Sequence, residues 1–207
     1  IRHVERSRGL GDVYKRQSPI HWDHSVLLHA DRIDAYRRQG LTQPSYRHGG
    51  LLIAMRYEYD RFCERWYMQE PTEEEAHEAV HENTSWYHAM AIMALDYANY
   101  LGYDYEMPTC ESLYPLLRKK QEDYGYANHS RFGRNGLIVR LHDKISRLEN
   151  LMNTSELGEN DGIPNYESVV DTLSDIVGYC IIGCLLEADE WELPLTEDPL
   201  PILPSQQ

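Results

Sequence analysis

Residues 166–187, YESVVDTLSDIVGYCIIGCLLE, are apolar or small at nearly every position from Val169 to Leu186. A helix that is apolar on every side has to be buried, so other helices must wrap around this one. Its ionisable exceptions are Asp171 and Asp175, with Glu167 one turn earlier. At about 3.6 residues per turn the three share one face. A buried carboxylate is costly unless it is paired, hydrogen-bonded or bound to a metal, and three in a row repel one another. Two readings follow. In one, a divalent cation such as magnesium, which prefers oxygen ligands, sits among them. In the other, the row lies at a helix edge, facing solvent or pairing with Arg or Lys from a neighbour.

The rest of the chain is patterned for helix too, without the alternation of half-buried strands, so the expected class is all-α, a helical bundle. Ser18-Pro19 opens a first helix that runs to about Gln39, with Gly40 as its stop. A second covers Leu51 to Met68. Thr72 followed by Glu73, Glu74 and Glu75 caps a third, which continues to Leu101. A fourth opens near Pro108 to Ser112 and closes at Asp123-Tyr124-Gly125. A Gly, Asn and Arg-bearing loop follows, over 126–136. The fifth spans Leu137 to Met152, with Leu137, Leu141, Ile145, Leu148 and Met152 at helical spacing. The apolar stretch is the sixth. Residues 1–17 have no period and resemble translated sequencing-adapter sequence; they read as a non-native or disordered leader. Residues 18–107 form an N-terminal helical region, 108–190 a second module, and 191–207 a proline-rich tail, extended or disordered.

Charge narrows the function classes. With 34 acidic against 20 basic side chains the formal net charge is -14. That argues against a duplex-binding or anionic-membrane protein, while a small polyanion could still bind through bridging metal. Four cysteines occur with no C-x-x-C pair. Cys180 and Cys184, one turn apart in the apolar helix, read as buried thiols. This fits a reducing, cytoplasmic setting. No apolar run reaches the roughly 18 residues that span a bilayer, and no secretory signal is visible. Sixteen tyrosines against two phenylalanines supply amphipathic rings for half-buried faces, or for stacking on bases.

Three short motifs occur in order. Lys119-Lys120-Gln121-Glu122-Asp123-Tyr124-Gly125 ends the fourth helix. Asp143-Lys144-Ile145-Ser146-Arg147-Leu148 lies in the fifth. Glu167-Ser168-Val169-Val170-Asp171-Thr172-Leu173-Ser174-Asp175 opens the sixth. The order K-x-x-x-DYG, DK-x-x-RL, ES-x-x-DT-x-x-D resembles the nucleotide modification associated domain 1 family, similar to the all-α, MazG-like nucleoside triphosphate pyrophosphohydrolases. The resemblance covers about residues 110–188 and implies a dimeric helical bundle with a Mg²⁺-filled acidic cleft (Mn²⁺ as the alternative). It implies cleavage of a nucleoside triphosphate, in nucleotide-pool control or phage DNA modification. Glu167, Asp171 and Asp175 would then be metal ligands, and Asp143 with Glu122 or Asp123 further ligands or the water-activating base. Lys144 and Arg147, then Lys120 and Arg140, would meet the phosphates. MazG-like enzymes carry E-x-x-E on the helix before their E-x-x-D; the fifth helix here has only Asp143 and Glu149. A nucleotide-binding module without turnover is the alternative. Asp143, Lys144 and Arg147 could also be solvated surface charges.

His77-Glu78-Ala79-Val80-His81 on the third helix fits H-E-x-x-H, a zinc-hydrolase pattern with Glu78 as base. His88, seven residues on, falls near the same face. The H-x-x-G-x-x-H continuation is absent, and Glu73, Glu74, Glu75 and Glu82 make a solvated face the plainer reading. A middle reading takes Glu75, Glu78 and Glu82 as carboxylates of a nucleotide cleft.

Overall fold

The computed structural model describes residues 21–40, 50–68, 73–156 and 168–201. Among them are seven α-helices and no strand. They are α1 (Trp22–Arg38), α2 (Gly50–Met68), α3 (Glu73–Tyr100), α4 (Tyr114–Tyr124), α5 (Ala127–Ser130), α6 (Gly133–Glu156) and α7 (Val169–Glu187), with a 3-10 turn at Glu111–Leu113 before α4. The all-α expectation holds.

The apolar stretch is α7, and it is the centre of the bundle. Its longest packing partner is α3, followed by α6, with α1 on a third side. Leu173, Ile176, Val177, Cys180, Ile181, Cys184 and Leu185 lose all contact with solvent. At 19 residues and a mean hydropathy of 1.8, α7 is long and apolar enough to cross a membrane. This corrects the expectation that no such run exists. With 67% of that run buried inside the bundle, a core helix accounts for the same composition.

Close approach of α3 and α7 depends on Gly183. A methyl there would meet the Tyr87 ring at 2.5 Å, well inside van der Waals contact. Because α3 supplies so much of the core around α7, the N-terminal helices complete one bundle with the C-terminal ones.

Helix ends follow the sequence signals where those are local. Ser168 caps α7: its hydroxyl accepts from the Asp171 N–H while the Asp171 carboxylate accepts from the Ser168 N–H, a capping box. Gly125 ends α4 at φ 66°, ψ -179°, a region essentially reserved for glycine. The 126–136 loop is shorter than expected, since α5 occupies part of it and α6 starts at Gly133.

The described part of the tail is extended and tied down. Trp191 is buried, and Trp22 N–H donates to the Pro194 carbonyl at 2.8 Å. Asp23, fully buried, accepts from Tyr114 Oη (2.7 Å), Arg118 Nη1 (2.5 Å) and the Thr196 N–H (2.8 Å). Arg118 also donates to the Thr196 carbonyl and to Glu122 Oε1. Burial would raise the Asp23 carboxyl, but the Thr196 N–H, the Tyr114 hydroxyl and Arg118 outweigh it and hold it below the ordinary value.

Candidate functional site

A cavity of about 400 Å³ opens beside α7, and helical periodicity explains its walls. On α7, Asp175, Gly178, Tyr179 and Ile182 lie at spacings of three and four and so share a face. Leu117, Lys120, Gln121 and Tyr124 do the same on α4. Arg140 and Lys144 come from one face of α6, Asn128 and His129 from α5, and Trp22 and Trp191 close the back. Gly178 keeps α4 near: a methyl there would come within 2.9 Å of the Leu117 side chain.

The lining carries three permanent cations and one carboxylate, in a chain that is strongly acidic overall. Asp175 sits between two of the cations. Its Oδ1 accepts from Lys120 Nζ at 2.5 Å and its Oδ2 lies 2.7 Å from Lys144 Nζ. Arg140 is steadied by Asn128 Oδ1 at 2.9 Å. Burial, then the nearby Arg140 charge, lowers His129 to about 4, so it is neutral at pH 7 and adds no charge. Its ring packs edge-on against Trp191 (5.1 Å) and Tyr179 (6.0 Å). Trp191 Nε1 in turn donates to the Tyr126 carbonyl.

Gln121 is 95% buried, as its 5% exposure shows, and its Nε2 has no hydrogen-bond partner. A buried donor left unsatisfied costs about 1–3 kcal/mol. Gln121 is among the residues that line the cavity, although this nitrogen is itself sealed from solvent. Tyr124 stands at the rim, 68% exposed. The cavity can therefore hold an anionic group at its charged side and a flat apolar group against its rings.

The residues expected from the motifs divide into two sets. Lys120, Arg140, Lys144 and Asp175, drawn from all three motifs and the neighbouring turn of α6, meet at the cavity. Asp143, Glu122 and Asp123 are exposed and do not line it. Glu122 pairs with Arg118. Arg147 donates to Thr172 Oγ1 at 3.3 Å, away from the lining. Of the two readings of the carboxylate row, the described residues fit the one with solvent and lysine partners. Asp171 is exposed and serves the capping box, Asp175 is neutralised by lysines, and Glu167 lies outside the described residues. A divalent ion needs several oxygen ligands; here one cavity carboxylate is already held by two ammonium groups. Among the described residues the donor set does not fit magnesium.

The side chains of His77, Glu78 and His81 also lie outside the described residues, as does that of Glu75. Glu82 is exposed. His88 is buried and faces α1, with its ring 6.5 Å from that of His29. Sequence reasoning missed Gln121, His129, Tyr179 and Trp191. The spacing of Gln121 with Leu117 and Tyr124 could have flagged it, whereas Trp191 reaches the cavity only through the fold of the tail. The chain matches no family model, no curated protein and no solved structure.

Proposed function

We propose that the protein binds a nucleotide in this cavity, with phosphates at Lys120, Arg140 and Lys144 and the base toward Tyr124 and Tyr179. The observation that carries this reading is the convergence of three cations on one concave site holding a single carboxylate. Phosphates are recognised by such charge-assisted donors, and concave sites of a few hundred Å³ with a few polar groups are the usual form of small-molecule sites. A turn of the Gln121 amide toward the cavity would add a donor for a phosphate or base oxygen. The exposed Tyr124 ring and the half-buried Tyr179 ring suit the flat faces of bases.

Pyrophosphohydrolysis of nucleoside triphosphates is the finer reading. What favours it is that Lys120, Lys144 and Asp175, one from each motif of the resemblance, line the same cavity. A panel of nucleoside triphosphates separates the two. Binding is read by displacement of a fluorescent nucleotide in EDTA, and turnover by pyrophosphate and phosphate release with Mg²⁺. Binding in EDTA that weakens at least tenfold in Lys144→Met supports the nucleotide site. Absence of displacement by any nucleotide at millimolar concentration overturns it. Pyrophosphate release, lost in Asp175→Ala, would add catalysis to binding.

A further inference from the structure

Away from the cavity, α1, α3 and α7 bring His29, His88 and Cys184 together in the core. Each offers a ligand atom, the three atoms lie within 4.8 Å of one another, and all three residues are buried. Buried polar atoms normally have partners. His29 Nε2 has one, Glu190 Oε2 at 3.2 Å, and that carboxylate also accepts from Ser25 Oγ. Neither His29 Nδ1 nor His88 Nε2 has a partner, although the residues are only 3% and 8% exposed. Two unsatisfied imidazole nitrogens and a thiol in one apolar spot need an explanation that packing does not supply.

Glu190 gives the arrangement a direction. Its Oε2 lies at hydrogen-bond distance from His29 Nε2, on the far side of the ring from the unpartnered Nδ1. A carboxylate behind a histidine whose other nitrogen is free is the usual outer shell of a metal ligand.

We propose that His29 Nδ1, His88 Nε2 and Cys184 Sγ bind a transition-metal ion that accepts thiolate and imidazole, zinc(II) in the first place, as a structural cross-link of α1, α3 and α7. Such ligands select zinc over oxygen-seeking ions such as magnesium. On binding, the Cys184 S–H proton leaves to solvent as the metal–sulfur bond forms. One thiolate and the Glu190 carboxylate then balance the charge of a divalent ion. Ligand atoms of tetrahedral zinc lie about 3.3–3.6 Å apart for its ordinary bond lengths. Side-chain rotations of roughly an ångström close the observed spread.

The test uses the full chain, loaded with zinc and dialysed extensively, with metal counted by mass spectrometry. About one zinc per chain is expected, together with a fall in Tm when a strong chelator removes it. Cobalt(II) in place of zinc should give a thiolate-to-cobalt charge-transfer band. Cys184→Ser, which changes one atom and can be checked for helix content by circular dichroism, should lose that band and at least tenfold in zinc affinity. A folded wild-type chain that keeps no zinc and shows no cobalt band overturns the proposal. So does a Cys184→Ser protein with unchanged zinc content and an unchanged band, which would point instead to other histidines.

Discussion

Asp175→Asn separates a counter-ion from a metal ligand. In the fold Asp175 neutralises Lys120 at 2.5 Å and Lys144 at 2.7 Å. The Lys120 side chain is 43% exposed, so that pair contributes only about 0.5 kcal/mol. The Lys144 and Asp175 side chains are 16% and 13% exposed, and leaving that ammonium with a neutral amide should cost about 1–2 kcal/mol. Together they give about 2 kcal/mol, or a Tm lower by roughly 4–8 °C for a chain of this size. Ligand affinity should move the other way. One phosphate charge roughly 7 Å from a carboxylate is disfavoured by about 0.6 kcal/mol even at the dielectric of water. Two or three such charges make about 1–2 kcal/mol, a gain of roughly 5- to 30-fold in affinity on removing the carboxylate. Calorimetric titration with a nucleoside triphosphate in EDTA at low salt reads the change directly. If Asp175→Asn binds nucleotide more weakly than the parent without any divalent ion present, the counter-ion reasoning fails. If affinity falls only when Mg²⁺ is present, Asp175 is a metal ligand after all.

Asp171→Ala should cost about 0.3–1 kcal/mol in urea unfolding, the worth of an acidic side chain in the first turn of a helix, and leave nucleotide affinity within twofold. Gly183→Ala should destabilise by about 1–3 kcal/mol through overpacking against Tyr87, read as a lower urea midpoint at unchanged slope. Asp23→Ala removes one of the two carboxylates paired with the buried Arg118 guanidinium, a loss at the low end of the range of about 3–5 kcal/mol for a broken buried pair, because Glu122 remains; hydrogen exchange at Thr196 and Leu200, whose N–H groups bond to Asp23 and Tyr114, should rise with it. His129 is held neutral with its pKa lowered from 6.5 to about 4. The unfolded chain therefore takes up the proton first, and stability present above about pH 6.5 is lost as pH falls toward 4. The loss amounts to roughly 3 kcal/mol at 1.36 kcal/mol per unit, and His129→Gln should remove that part of the pH dependence.

Much of the bundle was legible because its signals are local. The unbroken apolar run of α7 required burial, the period of Leu137, Leu141, Ile145 and Leu148 marked the inner face of α6, and Gly40, Gly102 and Gly125 stopped helices at positive φ. The site was only half legible. Spacing put Asp171 and Asp175 on one side of a helix, but a difference of one turn separates a solvent-exposed cap from a cavity wall, and Ser168-x-x-Asp171 was itself a capping signal. Which lysines would meet Asp175 depended on how α4 and α6 pack against α7, and a helical period carries no such information. The contributions of Trp191 to the cavity and of Glu190 to His29 arise from the turn after α7 and the path of the tail. They are long-range facts of the fold, beyond any window of sequence.

A crystal structure of the full chain soaked with a nucleoside triphosphate tests the nucleotide reading most directly. The phosphates should lie within hydrogen-bond reach of Lys120, Arg140 and Lys144, with Gln121 Nε2 donating to the ligand and Tyr124 against the base. Phosphates bound elsewhere on the molecule, or a cavity that stays free of ligand at saturating concentration, would contradict it.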